Sequence, residues 1–204
     1  VELEALTPER DWSSILKSKL PAEIGMATDS SVRNHGEALN GYEVQTPKIS
    51  GAKGEELVRR TITVLKGIDS VVNNTCGFHV HLDGKGLLNH DRKKYPKELI
   101  QLWKTYLVFE DVFLSMLPFS RRRNDYCRPI GWAFNVHELD NIRSLADAER
   151  LWYAERNYNG IQNAKGSHYH PSRYFGANFH SLLAHGHFEV RFHSGTLNAK
   201  KVLE

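Results

Sequence analysis

Four short segments alternate apolar and polar residues with period two, and in each the polar positions carry charged or imidazole side chains. They are residues 1–5 (VELEA), 41–47 (GYEVQTP), 76–83 (CGFHVHLD) and 187–193 (HFEVRFH). Successive side chains of a strand point to opposite faces, so this alternation predicts four strands, each with two different faces. One face holds Val1, Leu3 and Ala5, then Tyr42 and Val44, then Phe78, Val80 and Leu82, then Phe188, Val190 and Phe192. The other holds Glu2 and Glu4, Glu43 and Gln45, His79, His81 and Asp83, and finally His187, Glu189, Arg191 and His193. Strands lying side by side would pack the first set under helices and gather carboxylates, imidazoles and a guanidinium on the second. Clustered carboxylates repel one another, and a merely solvated face would more naturally carry Lys, Thr and Ser. Divalent cations would neutralise such a face. Glu oxygens with one or two imidazoles suit Mg²⁺ or Mn²⁺, whereas zinc would lean on more His or Cys. Arg191, two residues from Glu189, would stand beside the metals as a cation able to grip a phosphate or carboxylate. Metals and an arginine on one surface equip a site for phosphoryl transfer, in which positioning and charge neutralisation do most of the catalysis.

The rest of the chain supplies helices without a regular βαβ rhythm. Thr7-Pro8 opens a short helix over residues 8–19, and Leu57, Val58, Ile62, Leu65 and Ile68 recur at helical spacing over residues 53–68. The longest helix is expected over residues 96–117, from Pro96 to just before Pro118, and its apolar character nearly all round predicts a central buried helix. Ser144 with Asp147 three residues on predicts a capped helix through residue 156. Residues 28–40, 121–129 and 157–172 read as turns and loops. The mixture predicts an α+β fold, a mainly antiparallel sheet with helices on one face.

At 204 residues the chain is read as one catalytic domain, residues 1–204, and the lack of an initiator Met is taken to mean trimmed ends. The stretch from Leu99 to Leu117 contains Lys104, Glu110 and Asp111, so no membrane span is expected. A net charge of +3 is too small to argue for nucleic acid. Only two cysteines, Cys76 and Cys127, and no signal peptide point to a cytoplasmic protein. Eleven histidines are many for this length, and six fall in the pairs His79/His81, His168/His170 and His185/His187.

Glu-x-Glu, a lone strand Glu, His-x-His and Glu-x-Arg, in that order, resemble the glutamine synthetase-like superfamily of carboxylate–amine ligases. More closely, VELE, GYEVQTP, CGFHVHLD, RRRNDYC and RYFGANFHSLLAHGHFEVRFHSGTLN are similar to the amidoligase family, over nearly the whole chain. The resemblance implies a glutamine synthetase-like catalytic fold whose concave sheet carries Mg²⁺ or Mn²⁺ ions with ATP. By similarity Glu2, Glu4, Glu43, His79 and Glu189 are the metal ligands. His81 and Arg191 face the nucleotide phosphates, and Arg191, Glu189 and Arg173 serve catalysis. Arg121, Arg122, Arg173 and Asn178 are further candidates for gripping ATP or substrate. The implied reaction is ATP-dependent: the γ-phosphate activates a carboxylate as an acyl phosphate, and an amine displaces phosphate to give an amide. Substrates would be a small metabolite or peptide, with no membrane or nucleic-acid partner, and an oligomer is compatible with the resemblance. The relatives carry a Gly before the first strand and further helix after the last, both outside this chain. They also often carry another strand carboxylate near the second Glu, for which Glu37 and Asp29 are the candidates.

Two rival readings stay open. His79, His81 and Glu189 could hold zinc in a hydrolase, although the usual home of a His-x-His strand is a barrel of about 250 residues with a βα rhythm. A non-catalytic nucleotide- or nucleic-acid-binding scaffold would instead use Arg121, Arg122 and Arg123. Arginines at the end of a helix also complement its dipole. Cys76 and Cys127 read as small buried residues, and His168/His170 as loop residues. Specificity would come from the loops around Asn34, Arg121 and His168.

Overall fold

The computed structural model describes residues 1–33, 38–88, 94–154, 166–167 and 169–204. In chain order these residues form β1 (Glu2–Thr7), α1 (Trp12–Lys19), β2 (Gly25–Thr28), β3 (Asn40–Gln45), α2 (Gly51–Lys66) and β4 (Gly77–Asp83). There follow α3 (Lys97–Ser115), α4 (Phe119–Arg122), short 3₁₀ turns at Ile130–Trp132 and Val136–Asn141, and α5 (Leu145–Trp152). A 3₁₀ turn at Pro171–Tyr174, β5 (Ala177–Asn178), α6 (Phe179–His185), β6 (His187–Ser194) and α7 (Ala199–Leu203) complete the chain. The fold is α+β with antiparallel strand pairing, and it divides into two compact units.

The first unit comprises Val1–His79 and His193–Glu204. Its strands run in the order β2-β3-β1-β4, with Glu4 opposite Glu43 and Glu2 opposite both Gln45 and His79. Every residue of β1 is buried, Glu2 and Glu4 included. The apolar side of the alternation works as expected: Leu3, Ala5, Tyr42 and Val44 join the core, and Trp12 of α1 stacks on Tyr42 at 4.6 Å. The α2 helix contributes Val58, Ile62 and Leu65, the residues picked out by their helical spacing.

The second unit, Val80–Phe192, has a larger aromatic core. Trp103 of α3 stacks on Phe179 at 5.2 Å, and Phe134 stacks on Trp152 at 4.9 Å. Such offset and edge contacts add to the area these rings bury. β5 pairs with β6 so that Asn178 lies opposite Glu189. Between them α6 ends at Gly186, whose φ of 80° is the left-handed cap that glycine adopts without strain, and the chain turns directly into β6.

Several expectations need correction. The helix expected over residues 96–117 forms as Lys97–Ser115, but it is not buried all round. Leu99, Ile100, Trp103 and Glu110 are buried along one side, while Val108, Phe109, Val112 and Met116 are exposed. A helix packs only the stripe that has a neighbour, and composition does not reveal how many stripes find one. The helix begun by Ser144 stops at Trp152. β2 escaped notice because Gly25–Thr28 alternates weakly and has no buried residue. The closing helix α7 was not expected either. Residues 34–37, 89–93, 155–165 and 168 lie outside the described residues, and with them the expectations placed on Asn34, Glu37, Arg156 and His168. Both cysteines are buried thiols outside any disulfide, as expected of small buried residues. Among the described residues no helix is long and apolar enough to cross a membrane.

Candidate metal centre

In the first unit, the register of β1, β3 and β4 brings the polar side of the alternation together. The His79 ring lies between two carboxylates, with Nδ1 2.5 Å from Glu2 Oε1 and Nε2 3.4 Å from Glu4 Oε1. The Gly77 N–H donates to Glu4 Oε2 at 2.5 Å. A Cβ at Gly77 would stand 2.6 Å from His79 Nε2, so only glycine lets the backbone approach this closely. Gln45 donates its amide to Glu2 at 3.1 Å and to Glu43 at 3.0 Å, bridging neighbouring strands. The alternation puts Gln45 on the polar face, but its bridging role depends on the strand register.

Glu43 registers the crowding. Burial above all, and then the negative charges of Glu2, Asp29 and Glu4, push its pKa up to about 8. Asp29, one of the two candidates for an added carboxylate, is therefore near enough to act on Glu43. Its own Oδ1 accepts the Ser31 N–H and hydroxyl at 2.8 and 2.7 Å.

Glu2, Glu4 and His79 fit a divalent ion. All three are buried, and one donor atom from each lies within 4.8 Å of the others. The 3.4 Å between Glu4 Oε1 and His79 Nε2 matches two ligands about 2.1 Å from one tetrahedral ion. Such a mixed imidazole and carboxylate set suits a transition metal at least as well as Mg²⁺.

In the second unit, β6 presents Glu189 and Arg191 from the same side of the strand, both buried. Arg191 Nη1 donates to Glu189 Oε1 at 2.5 Å, and its Nε donates to the Tyr126 carbonyl at 3.2 Å. Asn178 Nδ2 donates to the other Glu189 oxygen at 2.5 Å, while its own Oδ1 caps α6 by accepting the Ser181 N–H. One side chain thus fixes a helix start and a carboxylate. His81 Nε2 lies 3.9 Å from Glu189 Oε1, and its Nδ1 is 3.2 Å from His187 Nδ1, which in turn contacts the Ser181 hydroxyl at 2.9 Å.

The arginines divide. Arg121 is buried and donates to the main-chain carbonyls of Phe192 (3.2 Å) and Arg191 (2.7 Å), which fastens α4 to β6. Arg122 donates to the Leu117 and Ser115 carbonyls at 2.8 and 2.9 Å, complementing the C-terminal end of α3. The guanidinium of Arg173 lies over the rings of Tyr169 and Tyr174, 5.6 and 5.4 Å from their centroids.

Comparison with known proteins agrees with the motifs on the strands. No curated protein and no solved structure matches the chain. A family profile does, over residues 9–204, and its description is "Putative amidoligase enzyme". On that match, which covers all but the first eight residues, the chain belongs to the amidoligase family.

Proposed function

We propose that this protein is a metal- and ATP-dependent amidoligase that joins a carboxylate to an amine on a small-metabolite or peptide substrate. The observation that carries this reading is the buried Glu2, Glu4 and His79 group in a chain of this family. In this reading Glu2, Glu4, Glu43 and His79 hold divalent metal, and Glu189 is a candidate metal ligand within the second unit. The ion's part is to offset phosphate charge. Arg191, aimed by Glu189 and the Tyr126 carbonyl, presents a fixed guanidinium to the transferring phosphoryl group. Asn178 holds Glu189 in place, His81 contributes an imidazole beside that carboxylate, and Arg173 is the candidate for the substrate's anionic end. The substrate carboxylate attacks the γ-phosphorus and ADP leaves. The amine then attacks the acyl carbon, phosphate leaves, and a base takes the amine proton.

A second reading is favoured by the donor set itself. Two buried carboxylates and an imidazole at the Glu4–His79 separation suit zinc, which would activate water in a hydrolase. Calorimetric titration of ATP with and without Mg²⁺ or Mn²⁺, and of Zn²⁺ alone, separates the two. The ligase reading expects metal-dependent ATP binding, weakened about 100-fold or more in Glu4→Gln and His79→Ala, and a hydroxamate when hydroxylamine traps the acyl phosphate. Tight Zn²⁺ binding with no response to ATP would establish the hydrolase reading in its place.

A further inference from the structure

On one face of the first unit's sheet, β1 and β3 place two cross-strand pairs side by side: Glu2 opposite Gln45, and Glu4 opposite Glu43. Residues paired in this way bring their Cβ atoms within about 5.5 Å, so carboxylates crowd three corners of this patch and only the fourth is neutral. A carboxylate at that corner would add to the repulsion. A lysine or arginine would put a cation where a divalent ion has to bind. Glutamine does neither, because its amide offers two N–H donors and carries no charge.

Both donors are used. Gln45 Nε2 donates to Glu2 Oε2 at 3.1 Å and to Glu43 Oε1 at 3.0 Å. With an ion bound, both carboxylates are ionised and only accept, so the amide can present only its nitrogen to them. Its carbonyl end lies beside Gly25 of β2, the other cross-strand neighbour of Gln45, where a Cβ would stand 3.6 Å from Oε1. Gly25 brings no side chain to compete for the amide. The second oxygen of Glu2 is the one that meets His79 Nδ1 at 2.5 Å. Gln45 itself is exposed, unlike Glu2. A long side chain at the surface ordinarily keeps its rotamer freedom, and here two bonds to acidic groups hold it.

We propose that Gln45 is a positioning residue of the metal centre: it holds the Glu2 and Glu43 carboxylates together against their repulsion, each turned to receive a divalent ion. This rests on Glu2, Glu4 and His79 being a metal centre, and it holds for a ligase and a hydrolase alike. Donors of this kind, one step outside the ligands, are worth about 10–100-fold in metal affinity.

Calorimetric titration of Mn²⁺, and separately of Zn²⁺, into the chelator-treated full chain tests it, on the wild type, Gln45→Met, Gln45→Asn and Glu4→Gln. Gln45→Met keeps the length without donors, and Gln45→Asn is too short to span both carboxylates. Each should bind the ion about 10–100-fold more weakly than the wild type with unchanged stoichiometry. Melting of the metal-free protein should stay close to the wild type, since position 45 is exposed; a purely structural role would lower it and leave affinity alone. In a Glu43→Gln background, Gln45→Met should cost clearly less than in the wild type, because one of the two carboxylates it acts through is gone. A wild type that binds either ion while both Gln45 variants bind it equally well overturns the proposal and leaves the metal centre standing. A loss as severe as that of Glu4→Gln makes Gln45 a ligand, and overturns it too. A wild type that binds neither ion removes the metal centre and this role with it.

Discussion

Glu110 lies on the buried side of α3, in line with Leu99 and Trp103, and its carboxylate accepts the Ile130 and Gly131 N–H groups at 2.7 Å each. Burial pushes its pKa up, and those two donors partly oppose the shift. Glu110→Ala leaves both N–H groups without their acceptor, so it should cost about 2–4 kcal/mol in urea unfolding, with Glu110→Gln losing less. His180 behaves in the opposite sense. Burial first, then the nearby His170, lower its pKa from 6.5 to about 4, while its ring meets Tyr153 Oη at 2.7 Å. Unfolded, it takes up a proton near pH 6.5; folded, only near pH 4. Its contribution is complete above pH 6.5 and is lost as pH falls towards 4, by roughly 3 kcal/mol. Melting temperatures of His180→Gln should therefore depend less steeply on pH than the wild type across that window. Equal slopes would show that other groups set the acid limit.

Among the elements, the start of α5 and the end of α6 are each written in a single residue. Ser144 accepts the Asp147 N–H and donates its hydroxyl to the Asp147 carboxylate, closing the first turn of α5. Ser144→Ala should lower stability by about 1 kcal/mol. The end of α6 rests on the left-handed Gly186, with a φ of 80°. Gly186→Ala should cost about 1 kcal/mol or somewhat more by chemical denaturation, because the cap feeds straight into β6. Of these signals the serine cap was legible in the sequence, since its spacing is local. β2 and the exposed side of α3 were not, because a weak strand is specified by the neighbour it pairs with, and a helix's second face by whether a neighbour arrives at all.

For the molecule as a whole, a divalent ion that binds only the folded state should stabilise it by linkage. At about 100 times its dissociation constant the gain is about 2.7 kcal/mol. Added Zn²⁺ or Mn²⁺ should raise the melting temperature, a chelator should reverse the rise, and Glu4→Gln should abolish it. No rise with either ion would remove Glu2, Glu4 and His79 as a metal centre. The sequence by itself determined the strands that carry the chemistry and the side each charged residue takes, because a period of two leaves no freedom once one face is apolar. Membership of the family was legible in the sequence as well, and the match over residues 9–204 bears it out. Tertiary structure alone decided the partners. Strand register set His79 between Glu2 and Glu4 and gave Gln45 and Gly77 their places, and pairing of β5 with β6 brought the Asn178 amide to Glu189. It also brought Arg121 onto the main-chain carbonyls of Phe192 and Arg191 in β6. Such choices depend on contacts between residues far apart in the chain, and local periodicity carries no information about which distant donor or acceptor will arrive.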